Sequence, residues 1–314
     1  MLSLHTNAAT LSAQNSLGRT QASLSTSMTR LSTGFRINSA MDDAAGLQIA
    51  TRLKAQTSGM AVAMRNTQNS ISMLQTAEGA LNEVTNILTR MKDLATQAAD
   101  GSSSATDQGA MQKEFNSLTT ELGNIISNTS FGGSKLLNNG TDGKFTAEVN
   151  FQIGSESSEQ MKFDIKDSLG KMHTAISTAA GDFSGSTLEE GEEFEAGENA
   201  GKEISDVPED DDTAPSAATG ATNANGTIAN LKAAIEAVST VRSEMGAAAN
   251  RLDHVYNNLS NVSTNTKNAT GRIMDVDFAT ESANMTSKQM LMQAGTAMLK
   301  QTNSMSSMVM SLLQ

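Results

Sequence analysis

Between Leu74 and Ala98 the apolar residues fall at Leu74, Ala77, Leu81, Val84, Leu88, Met91, Ala95 and Ala98, in steps of three and four that alternate without a slip. That rhythm is the seam of a helix lying lengthwise on another helix, of the coiled-coil type. Proline would interrupt such a helix, and the chain has only Pro208 and Pro215, both in or beside one acidic stretch. A helix is therefore expected from about Asp42 to Ala99. A second follows Gly101, capped by Thr106 or Asp107, with a seam of Met111, Phe115, Leu118, Leu122 and Ile125. A third resumes at Ile228 and runs through Leu231, Ile235, Val238, Val241, Met245, Ala248, Leu252, Val255, Leu259 and Val262. Its phase is expected to slip at Val238 and Val241, where two steps of three meet.

Between the helical segments the period drops to two. Phe145, Ala147, Val149, Phe151 and Ile153 alternate with polar residues, as do Met161, Phe163 and Ile165, which predicts a β-hairpin with one buried face. Aromatic residues make up only 3% and tryptophan is absent, so thin packing between helices is expected in place of a large globular core. With no cysteine there is no disulfide framework and no thiolate ligand or nucleophile.

The net charge of −12 belongs to one place. Residues 182–212 hold thirteen acids opposed by Lys202 alone, and the remaining 21 acids and 21 bases cancel. An acidic balance argues against phosphate-backbone binding. The surrounding stretch, 179–226, is too poor in apolar residues to fold well by itself. The two ends are different again. Residues 1–41 contain Arg19, Arg30 and Arg36 but no acid, and 282–314 contain Lys288 and Lys300 but no acid. Repeats of seven run through both ends, at Leu17, Leu24 and Leu31 and at Phe278, Met285, Met292 and Leu299. Stripes so narrow are marginal alone and suit burial among copies of the chain, where an unpaired charge would be costly. The first residues lack the basic and apolar run of a cleaved leader, and no segment reaches the ~18 apolar residues of a membrane span.

Several motifs resemble bacterial flagellin. Leu31-Ser32-Thr33-Gly34-Phe35-Arg36-Ile37-Asn38-Ser39-Ala40-Met41-Asp42-Asp43-Ala44-Ala45-Gly46 resembles the family signature, with Phe35 and Met41 where that pattern usually has Leu and Lys. Gln75 to Glu83, Asn250-Arg251-Leu252, and the ending from Asn284-Met285 through Gln293-Ala294-Gly295-Thr296 to Ser311-Leu312-Leu313-Gln314 are similar to flagellin as well. The resemblance covers about 1–175 and 226–314.

The resemblance implies a filament subunit, exported through the flagellar type III apparatus, that self-assembles outside the cell into the bacterial flagellum. The expected partners are further copies of itself, an export chaperone, cap and hook-associated proteins, and Toll-like receptor 5, through Arg90, Leu94 and Glu114. The alternative is the hook–filament junction protein, which shares flagellin-like ends. An enzyme domain grafted into the middle is disfavoured, because the insert is short and polar. No cofactor or metal is expected: His5, His173 and His254 have no partners at ligand spacing, and Asp42-Asp43 reads as helix-start chemistry.

The fold expected is mainly α. A long antiparallel coiled-coil-like helical hairpin forms a rod with a small β-hairpin, helical termini and a short acidic outer insert. The divisions are 1–41 (polymerisation), 42–178 (rod), 179–226 (insert), 227–270 (rod helix) and 271–314 (polymerisation). Leu17, Leu24, Leu31, Phe278, Met285, Met292, Leu299 and Leu312 are the expected polymerisation residues. Ser184, Ser186 and Thr187 are the expected sites of O-linked sugar.

Overall fold

The computed structural model describes residues 8–139, 142–180 and 217–312. Its elements are α1 (Ala8–Thr33), α2 (Ala44–Ala98), α3 (Ala105–Asn128), β1 (Ser130–Phe131), β2 (Ser134–Lys135), a 3-10 turn (Lys144–Thr146), β3 (Val149–Gln152), β4 (Gln160–Phe163), α4 (Lys166–Ala180), α5 (Ala217–Met274) and α6 (Phe278–Leu312). Two compact units divide the chain, one of Met1–Ser58 with Asn261–Gln314 and one of Gly59–Ser260. The division falls inside α2 and α5, deeper than the boundaries at 41 and 270 that composition suggests.

Unit Gly59–Ser260 holds the core. Every seam residue of α2 from Leu74 to Ala98 is at most 1% exposed. The facing seam of α5 is Ala224, Thr227, Leu231, Ala234, Val238, Val241, Met245, Ala248 and Leu252, all buried. The expected slip at Val238 is absent. Ala234 takes the inward position and Ile235 stands half-buried beside it, so the three-four alternation is unbroken. A small side chain filled a position that hydrophobicity alone assigns to its larger neighbour. The same effect moves the start of α5 forward to Ala217, within the expected insert. There the seam is built from Gly220, Ala224 and Thr227, and a Cβ on Gly220 would collide with the Gln108 side-chain oxygen. Gln108, buried on α3, donates from Nε2 to the Ala98 carbonyl at 3.0 Å and so caps the end of α2. Leu259 clusters with Met60 and Ala63, so α2 and α5 run antiparallel within this unit.

α3 begins at a capping box, in which Ser104 and Asp107 each satisfy the other's backbone N–H. Leu118 and Ile125 are half-buried, while Thr119 and Ile126 point further in. β3 and β4 pair antiparallel, with Val149 opposite Phe163 and Phe151 opposite Met161, all four buried on one face. Phe145 lies in the 3-10 turn, where its ring meets Phe163 edge-on at 5.7 Å, and Phe151 stacks on Phe163 at 6.0 Å. α4 then buries Leu169, Met172, Ile176 and Ala179 against the same core.

Candidate assembly surfaces

The residues of the signature motif form a knot in unit Met1–Ser58 with Asn261–Gln314. α1 stops because Gly34 adopts φ +78°, a left-handed conformation that closes the last turn through its N–H on the Arg30 carbonyl. The chain then makes a single antiparallel bridge between Phe35 and Asp275. The Arg36 N–H donates to the Met274 carbonyl at 2.6 Å, the Val276 N–H to the Gly34 carbonyl at 3.0 Å, and the Arg36 guanidinium to the Ile273 carbonyl at 2.9 Å. Ile37, 2% exposed, plugs the junction.

Asp42 accepts from the backbone N–H groups of Ser39 and Asn38 and from the Ser39 hydroxyl. Those donors, the Ser39 amide foremost, hold its carboxyl below the usual range, with help from Arg30 at 3.9 Å. Asp43 caps α2 through the Gly46 N–H, and Asp277 caps α6, its carboxyl held down chiefly by the Thr280 hydroxyl. The connection between α1 and α2 is thereby fastened to the one between α5 and α6. The adjacent acids at 42 and 43 are occupied with backbone donors.

α1 and α6 pack along their lengths. Leu17 Cδ1 lies 2.9 Å from where a Cβ on Gly295 would stand, and the Phe278 ring reaches the same space at Gly34, 4.0 Å away. These two contacts make the pair antiparallel and set its register. Leu24 then lies opposite Lys288 and Leu31 opposite Glu281, while Met285, Met292 and Leu299 lie opposite Ser27, Thr20 and Ala13. Each large side chain of one helix meets a small or polar position of the other, as knobs meet holes.

The heptad stripes of α1 and α6 therefore face each other within one chain. Leu24 is buried, and Leu17, Leu31, Met285, Met292 and Leu299 are half-buried. Phe278, 58% exposed, stands at the mouth of the seam. Leu312 closes α6, with its side chain outside the described residues.

What remains outward is apolar too. Of the eleven large apolar side chains that are exposed among the described residues, ten belong to this unit, and only Val62 belongs to the other. On α1 the exposed pair is Leu11 and Met28, each one residue after a seam position. On α6, besides Phe278 at the mouth of the seam and Met290, Leu291 and Met298 are exposed, each one residue before a seam position. At 100° per residue in an antiparallel pair, these offsets fall on opposite flanks. The spacing signal for the second flank was available: Leu291, Met298, Met305 and Leu312 also repeat at seven.

The other expected sites lie elsewhere. Arg90 on α2 donates from Nε and a terminal nitrogen to Glu114 on α3, at 2.9 and 2.6 Å, and both remain about half exposed. Leu94 is 2% exposed and sits in the core, so it cannot be part of an exposed receptor surface. Ser184, Ser186 and Thr187 lie outside the described residues. His173 is buried, and its Nε2–H donates to the Leu137 carbonyl at 2.8 Å. Burial pushes its pKa down, only partly offset by that bond. Among the described residues no group of acids and histidines is arranged to hold a metal ion, and no helix is long and apolar enough to cross a membrane.

Residues 4–142 match the bacterial flagellin N-terminal helical region, and residues 228–313 match the bacterial flagellin C-terminal helical region. Flagellin A of Vibrio anguillarum is 36% identical across 100% of both chains. Polar flagellin B/D of Vibrio parahaemolyticus is 35% identical across 99% of each. The crystal structure of Bacillus cereus flagellin is similar over 62% of this chain and 88% of its own, at 28% identity and a TM-score of 0.43.

Proposed function

We propose that this chain, which belongs to the bacterial flagellin family and is a structural subunit of the self-assembling flagellar filament, polymerises through the two flanks of its α1–α6 pair. The observation that carries the reading is that, among the described residues, ten of the eleven exposed large apolar side chains lie in the unit that holds both termini. Covering each such side chain is worth about 1.5–3 kcal/mol before the ordering cost. Because the flanks differ, the α1 flank of one copy meets the α6 flank of the next. A contact of two unlike surfaces does not close as a symmetric dimer and propagates into a ring or an open helix.

The same feature suits export. A helix pair with few buried contacts opens at little cost, so the ends unravel for a type III apparatus and become fully ordered when neighbours cover them. Outside the cell the partners are further copies, cap and hook-associated proteins, with a chaperone before export. The full-length matches are to filament flagellins and lend no support to the hook–filament junction alternative. We read the chain as non-catalytic, as befits a family of structural proteins. For Toll-like receptor 5 the candidate surface is reduced to the Arg90–Glu114 pair.

Three variants test the polymerisation reading. Met28→Asp puts a carboxylate on one flank, Met298→Asp puts one on the other, and truncation after Gly271 removes α6. Each is expected to abolish sedimentable filaments while the cooperative melt of unit Gly59–Ser260 persists. Full-length filaments from either single variant would sink the two-flank mechanism.

A further inference from the structure

Among the described residues, the methionines that are buried and those that are exposed divide by unit. Met91, Met172 and Met245 are 0% exposed, Met161 3%, Met60 4% and Met111 8%, and all six lie in Gly59–Ser260. Met28 is 56% exposed, Met290 60%, Met298 64% and Met41 97%, and all four lie in the other unit. Met28 and Met298 belong to the two opposite flanks of the α1–α6 pair, and Met290 stands on the outer side of α6. Leucine would cover the same surface with no oxidisable atom, so thioether sulfur is concentrated where a subunit must lose its water to assemble.

We infer that Met28, Met290 and Met298 are oxidation sites that gate assembly, the oxidant being a two-electron oxygen donor such as hydrogen peroxide or hypochlorous acid. With peroxide, a sulfur lone pair attacks one oxygen, the O–O bond breaks, an S–O bond forms and water leaves after proton transfer. Sulfur is oxidised by two electrons and the peroxide is reduced by two. The product sulfoxide is a strong hydrogen-bond acceptor, and dehydrating it on an apolar flank without a donor opposes docking. An oxidised subunit is therefore excluded from the growing polymer, while one already assembled has its sulfurs covered. Sulfoxide reductases reverse the change. The inference rests on the polymerisation reading above.

The test treats soluble full-length protein with dilute hydrogen peroxide and maps sulfoxides by peptide mass spectrometry. Seeded polymerisation is then followed by light scattering. Met28, Met290, Met298 and Met41 should oxidise well before Met91, Met172 and Met245, and the critical concentration should rise about tenfold or more. Treatment with the two epimer-specific sulfoxide reductases should restore it. A Met28→Leu, Met290→Leu, Met298→Leu variant keeps Met41 as an internal oxidation reporter and should polymerise equally well before and after peroxide. Unchanged polymerisation of wild type carrying the three sulfoxides would overturn the inference, as would equal inhibition of the triple variant or equal oxidation of the buried methionines. The untreated control tests the polymerisation reading itself, and the treated-to-untreated ratio tests the oxidation sites, so the two failures are distinguishable.

Discussion

The two units of this molecule use one periodicity to opposite ends. In Gly59–Ser260 the three-four seam of α2 finds the seam of α5, and α3, α4 and the β-hairpin close over both, so the seam residues from Leu74 to Ala98 are at most 1% exposed. In the unit of both termini the seam of α1 finds only α6, and the buried apolar residues among those described are Leu24, Ile37 and Ala50. One unit completes its core within the chain. The other leaves both flanks of a helix pair uncovered, and in the assembly proposed above identical subunits supply the missing layer. A heptad shows that a helix packs lengthwise, and what surrounds it decides whether the packing ends within the molecule.

The largest effect that tests this contrast comes from equivalent truncations in the two units. Leu88→Ala, at a 0% exposed position, should cost about 2–5 kcal/mol in the melt of unit Gly59–Ser260. Leu24→Ala, at a 5% exposed position, should leave that melt in place and raise the critical concentration for polymerisation. Circular dichroism melts and sedimentation of both variants check this. Equal loss of melting stability in the two would mean that the units fold as one cooperative body, and the contrast would fail.

Much of the fold was legible because large apolar residues mark most seams, and the alternation from Phe145 to Ile165 marks the hairpin. What was hidden shares one physical cause. A helix seam needs a side chain that fits, and where the opposite element lies close, Gly220, Ala224 and Ala234 fit better than anything larger. Weighting residues by hydrophobicity passes over these positions, which is why α5 begins earlier than expected and why its seam has no slip. The assembly surface was half visible. The stripes at Leu17 and Met292 were found, but periodicity alone cannot say that they face each other, leaving Leu291 and Met298 outward. Leu94 is the converse case. It shares a helix face with Arg90 by spacing, yet tertiary packing buries it.

A smaller effect should appear with pH, in the self-contained unit only. His173 is neutral in the native state because burial lowers its pKa below 6.5, and its Nδ1 has no hydrogen-bond partner among the described residues. As pH falls through 6.5 the unfolded chain takes up a proton that the native state refuses, so the unfolded state binds more protons and stability falls. The loss continues until the lower native pKa is reached. Asp42, Asp107 and Asp277 are held below 3.8, so they stay ionised through this window. The Tm of wild type should drop from neutral pH to mildly acidic pH by more than that of His173→Gln, whose amide can still donate to the Leu137 carbonyl. Parallel pH curves for the two proteins would remove His173 as the cause.

Smaller still is the effect of a surface ion pair on a unit that is already complete. Arg90 and Glu114 are 54% and 46% exposed, so Arg90→Ala should change the melt by no more than ~1 kcal/mol. In a Toll-like receptor 5 reporter assay on soluble subunit, the same variant is expected to lose potency on the order of thirtyfold, as for a central interface arginine. Leu94→Ala should behave inversely, costing about 2–5 kcal/mol in the melt because it opens a core cavity. Unchanged receptor potency for Arg90→Ala would remove this surface as the receptor site.

The smallest effect on folding and assembly is expected from the largest change in charge. Residues 182–212 carry −12, and the remainder of the chain is neutral. They fall between the end of α4 at Ala180 and the start of α5 at Ala217, elements already joined to one core by contacts such as that from Ser168 to Glu244 at 2.8 Å. Replacing them with a short Gly/Ser linker alters loop-closure entropy by only about 0.6 kcal/mol per halving of length, so the melt should not move. Filaments should still form, because no polymerisation flank is touched. What should change is the response to salt. Each added copy brings a further −12 to the polymer, and like-charge repulsion is screened over roughly 10 Å at 0.1 M ionic strength. The critical concentration of wild type should therefore fall as salt rises, while that of the linker variant stays flat. A folded variant unable to polymerise would make the segment part of the contact, and a salt-independent wild type would show that these charges never come near one another.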